Sequence, residues 1–203
     1  METRDHWRHA YATKSPDEVS WFEASPLSSL KALERLGSVS SQSIIDVGGG
    51  ASRLAEALLG RGWRDITVLD IAEAALASSQ ERLGPTAASV QWKVADICEW
   101  RPGRTYDIWH DRAVFHFLTE AGSRAGYKSA LEAGTHAGSH VIIAAFAIDG
   151  PEKCSGLPVR RYDVPTLVAE LGTGFTLVDD WRETHLTPLG AEQPFQWCTF
   201  KRN

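Results

Sequence analysis

The sequence predicts a doubly wound α/β domain, on three observations. Short β-branched runs alternate with helical segments along most of the chain, the pattern of a parallel sheet whose crossovers are helices. One such run, Ser43-Ile44-Ile45-Asp46-Val47, ends in three glycines where the next helix begins, the place where doubly wound sheets bind nucleotide-like ligands. The last two apolar runs, Phe175–Thr184 and Phe195–Lys201, are separated only by a turn region containing Pro and Gly, and so read as an antiparallel pair closing one edge.

Each element has a local reason. Ser25-Pro26 opens a helix, with a side-chain acceptor at the N-cap and a pre-set φ after it; Leu27, Leu30, Leu33 and Leu36 then recur at helical spacing until Gly37. After the first strand, Leu54, Leu58 and Leu59 give a helix its inner face, and Gly60 and Gly62 end it. The unit repeats as Asp65–Asp70, a helix over Ala72–Leu83, and the stop Gly84-Pro85. Val90–Asp96 and Tyr106–His110 read as the third and fourth strands, Ala125–Ala137 as a helix before Gly138, and His140–Ala147 as the most apolar strand.

Composition bounds the function. The 203 residues, 43% apolar, are enough for one buried core. No repeat or linker interrupts them, so we expect a single domain over 1–203, with an N-terminal helical cap (1–42) on an α/β core (43–203). A formal charge of -5 and no basic run longer than Arg160-Arg161 argue against nucleic acid as a partner. The longest apolar stretch, Val141–Ala147, is far short of a membrane span. The N-terminus lacks the pattern of a secretory signal, and Cys98, Cys154 and Cys198 fit neither a disulfide framework nor a zinc knuckle. The expected setting is the cytoplasm, with no metal and no membrane partner.

The chemistry gathers at strand ends. In Asp46-Val47-Gly48-Gly49-Gly50 the glycines let the chain turn through positive φ and bring backbone N–H groups toward a ligand. Asp70 closes the second strand about 20 residues on, where a carboxylate accepts from both ribose hydroxyls. Asp96 closes the third, so Asp46, Asp70 and Asp96 are expected along one crevice. A nicotinamide fingerprint needs a glycine where Arg53 stands, and no Walker pattern exists. The ligand expected is an adenosine without a pyrophosphate.

On Ile44–Gly50, Val68-Leu69-Asp70-Ile71, Val94-Ala95-Asp96-Ile97 and Tyr106–Asp111, the chain resembles the class I, seven-β-strand methyltransferases that use S-adenosylmethionine. It is similar to the small thiol, thiopurine and halide members in the Gly- and Pro-rich loop Ala147–Tyr162. The resemblance implies a Rossmann-like, mostly parallel seven-stranded sheet with an antiparallel C-terminal edge strand and helices on both faces. It implies S-adenosyl-L-methionine as cofactor and S-adenosyl-L-homocysteine as product. Asp46, Gly48, Gly49 and Gly50 would flank the methionine part, Asp70 with Ile71 hold the ribose, Asp96 with Ile97 read the adenine, and His110 and Asp111 border the methyl group. Gly49 departs mildly from relatives that carry cysteine or another small residue there. Trp21, in the Trp-Phe-Glu segment of the cap, would shield the sulfonium.

Methyl transfer is an in-line displacement in which the protein mostly positions the reactants. A general base is needed only for a nucleophile that arrives protonated; the candidates are Asp111 and His116. Asp111 and Arg112 equally suit a local ion pair. Phe115 and, on the loop after the fifth strand, Arg160, Arg161 and Tyr162 are the candidate substrate contacts. The leading expectation is an enzyme acting on a small-molecule acceptor; a protein lysine methyltransferase and a non-catalytic cofactor-binding module are the alternatives.

Overall fold

The computed structural model describes residues 5–9 and 23–203. Residues 5–9 are helical (α1). There follow α2 (Leu27–Arg35), β1 (Ser43–Val47), α3 (Leu54–Gly60), β2 (Asp65–Asp70), α4 (Glu73–Leu83), β3 (Val90–Val94) and β4 (Tyr106–Arg112). The rest is α5 (Ala121–Ala133), β5 (Thr135–Phe146), a small hairpin of β6 (Lys153–Cys154) and β7 (Leu157–Pro158), α6 (Val164–Leu171), β8 (Phe175–Leu186) and β9 (Glu192–Arg202).

Seven strands form one sheet in the order β3-β2-β1-β4-β5-β9-β8. The first five are parallel, and β9 runs antiparallel to both β5 and β8. The antiparallel pair thus closes one edge as the sequence indicates, and the last strand of the chain slots inside it, leaving β8 outermost. Helices cover both faces. Leu30, Leu33, Leu54, Leu58 and Leu76 of α2, α3 and α4 pack with Ile44, Val68, Ile108 and Ile142. On the other face Tyr127, Leu131, Leu167 and Leu171 of α5 and α6 pack with Ile45, Leu69, Trp109 and Ile143. Central strands buried on both faces need continuous apolar runs, and β1 and β5 have them.

Several boundaries differ from the sequence reading. Pro26, not Ser25, is the N-cap of α2, with no side-chain cap bond. Leu27 lies outside the packed stripe at 68% exposure, and Ala32 joins Leu30 and Leu33 inside. The stop at Gly37 is as expected: it has φ 64, and the Ser38 amide reaches back to the Leu33 carbonyl. α5 begins and ends four residues earlier than expected. Gly134 takes the C-cap, and Gly138, at φ 92, sits where β5 departs from regular pairing with β4 between Tyr106 and Ile108. A bulge uses a glycine as readily as a helix end does. β3 stops at Val94, so Asp96 stands just beyond it, whereas β4 continues through Asp111 and Arg112.

Parallel register decides what meets at the carboxyl ends. Val47 lies opposite both Leu69 and Asp111. The turns after β1, β2, β3 and β4 therefore open on one rim, and strand order reverses between β1 and β4, which is where an open α/β sheet offers a crevice.

Candidate active site

A cavity of about 310 Å³ occupies that crevice, within the size range of small-ligand sites. Asp70, Ile71, Ala95, Asp96, Ile97, Cys98 and Glu99 line it, with Ser123 of α5; Gly48 and Val114 line it as well, and Arg112, Phe117, Cys154 and Trp7 are also on the wall. They arrive from the ends of β1, β2, β3 and β4 and from α1, α5 and β6, so the fold assembles them.

Asp70 is nearly buried, and its Oδ1 accepts from the Ala72 amide at 2.8 Å. Burial lifts its pKa to about 7, the charge of Asp46 adds to the rise, and the amides of Ala72, Ile71 and Gly50 oppose it. The folded chain therefore keeps a proton that the unfolded chain releases above pH 3.8, and this carboxylate weakens the fold progressively as pH rises from 3.8 to about 7. Scanning calorimetry without ligand should show the Tm of Asp70→Asn gaining on that of the parent across this window and holding a constant offset above it. Asp96 accepts from the Cys98 amide at 2.9 Å, which fixes the turn it occupies. Burial, with Asp96 beside it, pushes the Cys98 thiol up to about 12, so it stays protonated.

The glycine turn works differently from the expectation. Gly48 (φ 68) and Gly49 donate their amides to the Leu69 carbonyl, at 2.7 and 3.3 Å, rather than toward a ligand. A Cβ on Gly48 would stand 2.0 Å from Val114 Cγ2, and one on Gly49 would stand 2.5 Å from Asp46 Oδ2 and 2.7 Å from Val68 Cγ1. The glycines let β1, β2 and the turn after β4 close on one another, and Gly49 is a requirement here rather than a mild departure. Gly50 keeps its carbonyl for Ser79, at 2.8 Å. Of these glycines only Gly48 lines the cavity.

Asp46 and His110, adjacent across β1 and β4, form a buried pair, Oδ1 to Nδ1 2.7 Å, behind the turn rather than on the cavity wall. Asp111 is fully buried on the opposite face of the sheet. Its Oδ1 accepts from the amides of Val114 (2.9 Å) and Phe115 (3.4 Å), and so holds a turn in which Ala113 adopts φ 70. It is a structural anchor, not a base that borders the ligand. Burial raises its pKa to about 6, with the Tyr127 hydroxyl and the two amides opposing. The pairing of Asp111 with Arg112 does not occur, because neighbours in a strand point to opposite faces; Arg112 donates to Glu23 Oε1 at 2.9 Å.

His116 is also unsuited to proton pickup. It is fully buried, and its Nδ1 accepts from the Phe146 amide at 3.2 Å, which places the ring proton on Nε2. Burial, with the Arg112 charge, lowers its pKa to about 3. The four substrate contacts fare likewise. Phe115 and Tyr162 pack together in the core with tilted rings, centroids 5.3 Å apart; Arg160 pairs with Glu170 at 2.8 Å; Arg161 reaches the Gly150 carbonyl and Glu152. None of the four lines the cavity. Trp21 lies outside the described residues. Trp7, from the same N-terminal segment, is on the cavity wall and packs edge-on against Phe117 at 5.0 Å.

The structure thus brings together Gly48, Asp70, Ile71, Asp96 and Ile97 of the residues read from the sequence. It adds Arg112, Val114, Phe117, Ser123 and Trp7. The signal for Arg112 was parity. Once β4 extends by two residues, Arg112 lies on the Asp46–His110 face at the very rim. Among the described residues, no cluster of His, Cys, Asp or Glu has the makings of a metal site, and no helix is long and apolar enough to cross a membrane.

A glycine turn and two rim aspartates on a sheet of this order define the fold of the class I, S-adenosylmethionine-dependent methyltransferases. Residues 44–138, from β1 into β5, match the family model described as a methyltransferase domain. Similar structures include a SAM-dependent methyltransferase from Anabaena variabilis, 13% identical, with TM-score 0.80 over 100% of this chain and 96% of that one. The N-methyltransferase NodS from Bradyrhizobium japonicum, in complex with S-adenosylhomocysteine, is 14% identical, with TM-score 0.73 over 99% of each chain. The 1,6-didemethyltoxoflavin-N1-methyltransferase of Burkholderia thailandensis, with its namesake compound and S-adenosylhomocysteine bound, is 19% identical, with TM-score 0.70 over 99% of this chain and 84% of that one. Comparison with curated proteins gives no match.

Proposed function

We propose that the enzyme transfers the methyl group of S-adenosylmethionine to a small-molecule nucleophile that reaches the site already deprotonated. The observation that carries this is the cavity at the strand ends, whose lining holds the two rim aspartates as well as Arg112, Phe117, Cys154 and Trp7. The residues present fit the cofactor. Asp70 is a nearly buried carboxyl whose pKa is raised by burial, and a pair of ribose hydroxyls would add donors that favour its ionised form. Ile71, Ala95 and Ile97 offer apolar contact to a purine, with the Asp96 turn at its edge. When bound, the cofactor supplies an electrophilic methyl on a sulfonium leaving group. Gly48 and Val114 set the floor of the passage between the two ends, and Trp7 with Phe117 excludes water from it.

Acid–base assistance is not what the acceptor end offers. Asp111 and His116 are off the cavity, and Arg112 is the charged side chain among Cys154, Phe117 and Trp7. Its guanidinium, already paired with Glu23, can still donate to an acceptor that arrives without its proton, and it disfavours an ammonium. Similar structures whose names specify small compounds support the size of the acceptor. We infer that the N-terminal segment caps the site through Trp7 and through Glu23, which holds Arg112.

The test has two stages. Titration calorimetry with S-adenosylhomocysteine should show one saturable site per chain, and no heat would remove the reading. Incubation with radiolabelled cofactor and cell extract should then place the label in the soluble metabolite fraction, while label in acid-precipitable protein would favour a protein substrate instead.

A further inference from the structure

The outermost strand, β8, carries the remaining inference. It is twelve residues long and ends the sheet order. Among the described residues no other segment pairs with its outer side. A bulge between Leu177 and Asp179 interrupts its pairing with β9, and beyond it the side chains alternate in one phase. Asp179, Trp181, Glu183 and His185 are half-buried, the first three against α2, whereas Asp180, Arg182, Thr184 and Leu186 are exposed. Val178 and Leu186 are exposed to 51% and 63%. The bulge blunts the start of this edge, and the regular stretch beyond it, Asp179–Leu186, is left as a template for a further strand.

The charges on the exposed face choose the strand. We propose that β8 pairs with β8 of a second copy of this chain, antiparallel about a two-fold axis at Trp181, extending the sheet through both subunits. An isologous contact requires each residue pair to occur twice. About Trp181, Asp180 faces Arg182 of the partner subunit and Arg182 faces Asp180 of the partner subunit. Sliding the strands to the next register that keeps the faces matched sets Arg182 directly against Arg182, which is unfavourable between paired strands. The opposite face sets Asp179 across from Glu183, and these acids are already held within their own chain, Asp179 by Arg35 at 2.6 Å and Glu183 by Ser28. Arg182 also pairs with exposed Asp149 of its own chain, so the contact alternates in sign as Asp149, Arg182 and the facing Asp180.

Sedimentation velocity over a dilution series tests this with four samples. The parent should dimerise. Asp180→Arg alone and Arg182→Asp alone should each weaken dimerisation by at least about tenfold in Kd, because each sets like charges opposite one another. An equimolar mixture of the two single variants should dimerise again, since each then faces its complement, and the double variant carrying both exchanges should dimerise on its own. Far-UV circular dichroism confirms that each variant is folded. A monomeric parent, a single variant that dimerises like the parent, or a mixture that stays monomeric overturns the proposal.

Discussion

Asp70→Ala is expected to raise the Kd for S-adenosylhomocysteine by roughly 5- to 150-fold, about 1–3 kcal/mol, because the ribose hydroxyls are left without a buried acceptor. The carboxylate lines the cavity at the end of β2, with one oxygen committed to the Ala72 amide. The loss should fall on affinity and not on the fold. A carboxyl whose pKa is raised to about 7 by burial opposes folding near neutral pH, so its removal takes no favourable charge interaction from the fold. Titration calorimetry on parent and variant checks it, and an unchanged Kd with one site retained would refute the ribose assignment.

Gly48→Ala is expected to lower stability by about 2–4 kcal/mol, a Tm lower by roughly 4–16 °C for a chain of this size. Two causes add. The residue holds φ 68, a region where a Cβ is strained, and that Cβ would lie 2.0 Å from Val114 Cγ2. The two are separable: Val114→Ala in the same chain should recover the steric part and leave the backbone part. Thermal unfolding of the two single variants and the double variant gives the coupling directly, and strictly additive losses would show that Val114 is not what the glycine accommodates.

Much of the fold was legible in the sequence because the strong signals are local. The run Ser43–Val47, the repeat at Asp65–Asp70 and the β8–β9 pair each appear where period and composition put them. The cofactor half of the site was legible for the same reason: a residue at a strand's carboxyl end lies on the rim in any parallel sheet, and Asp70 and Asp96 needed nothing further. The acceptor half was not. Whether Asp111 or Arg112 faces the cavity depends on how far β4 runs, and a two-residue error exchanges nothing in composition but decides which side chains reach the rim. His116, Phe115 and Tyr162 belong to side chains of mixed character, equally at home in a site or a core, and packing against Phe146 and Tyr127 settled them inside. Arg160 and Arg161 were taken by Glu170 and Glu152, distant in sequence or on the same loop.

The account rests on one crevice holding a nucleoside at the β2–β3 rim with Arg112 beyond it. A crystal structure of the chain with S-adenosylhomocysteine tests this most directly. The ribose hydroxyls should lie on Asp70, the adenine between Ile71 and Ile97 near the Asp96 turn, and the sulfur should point toward Arg112. A nucleoside seated elsewhere, or turned so that Asp70 meets no hydroxyl, would contradict it.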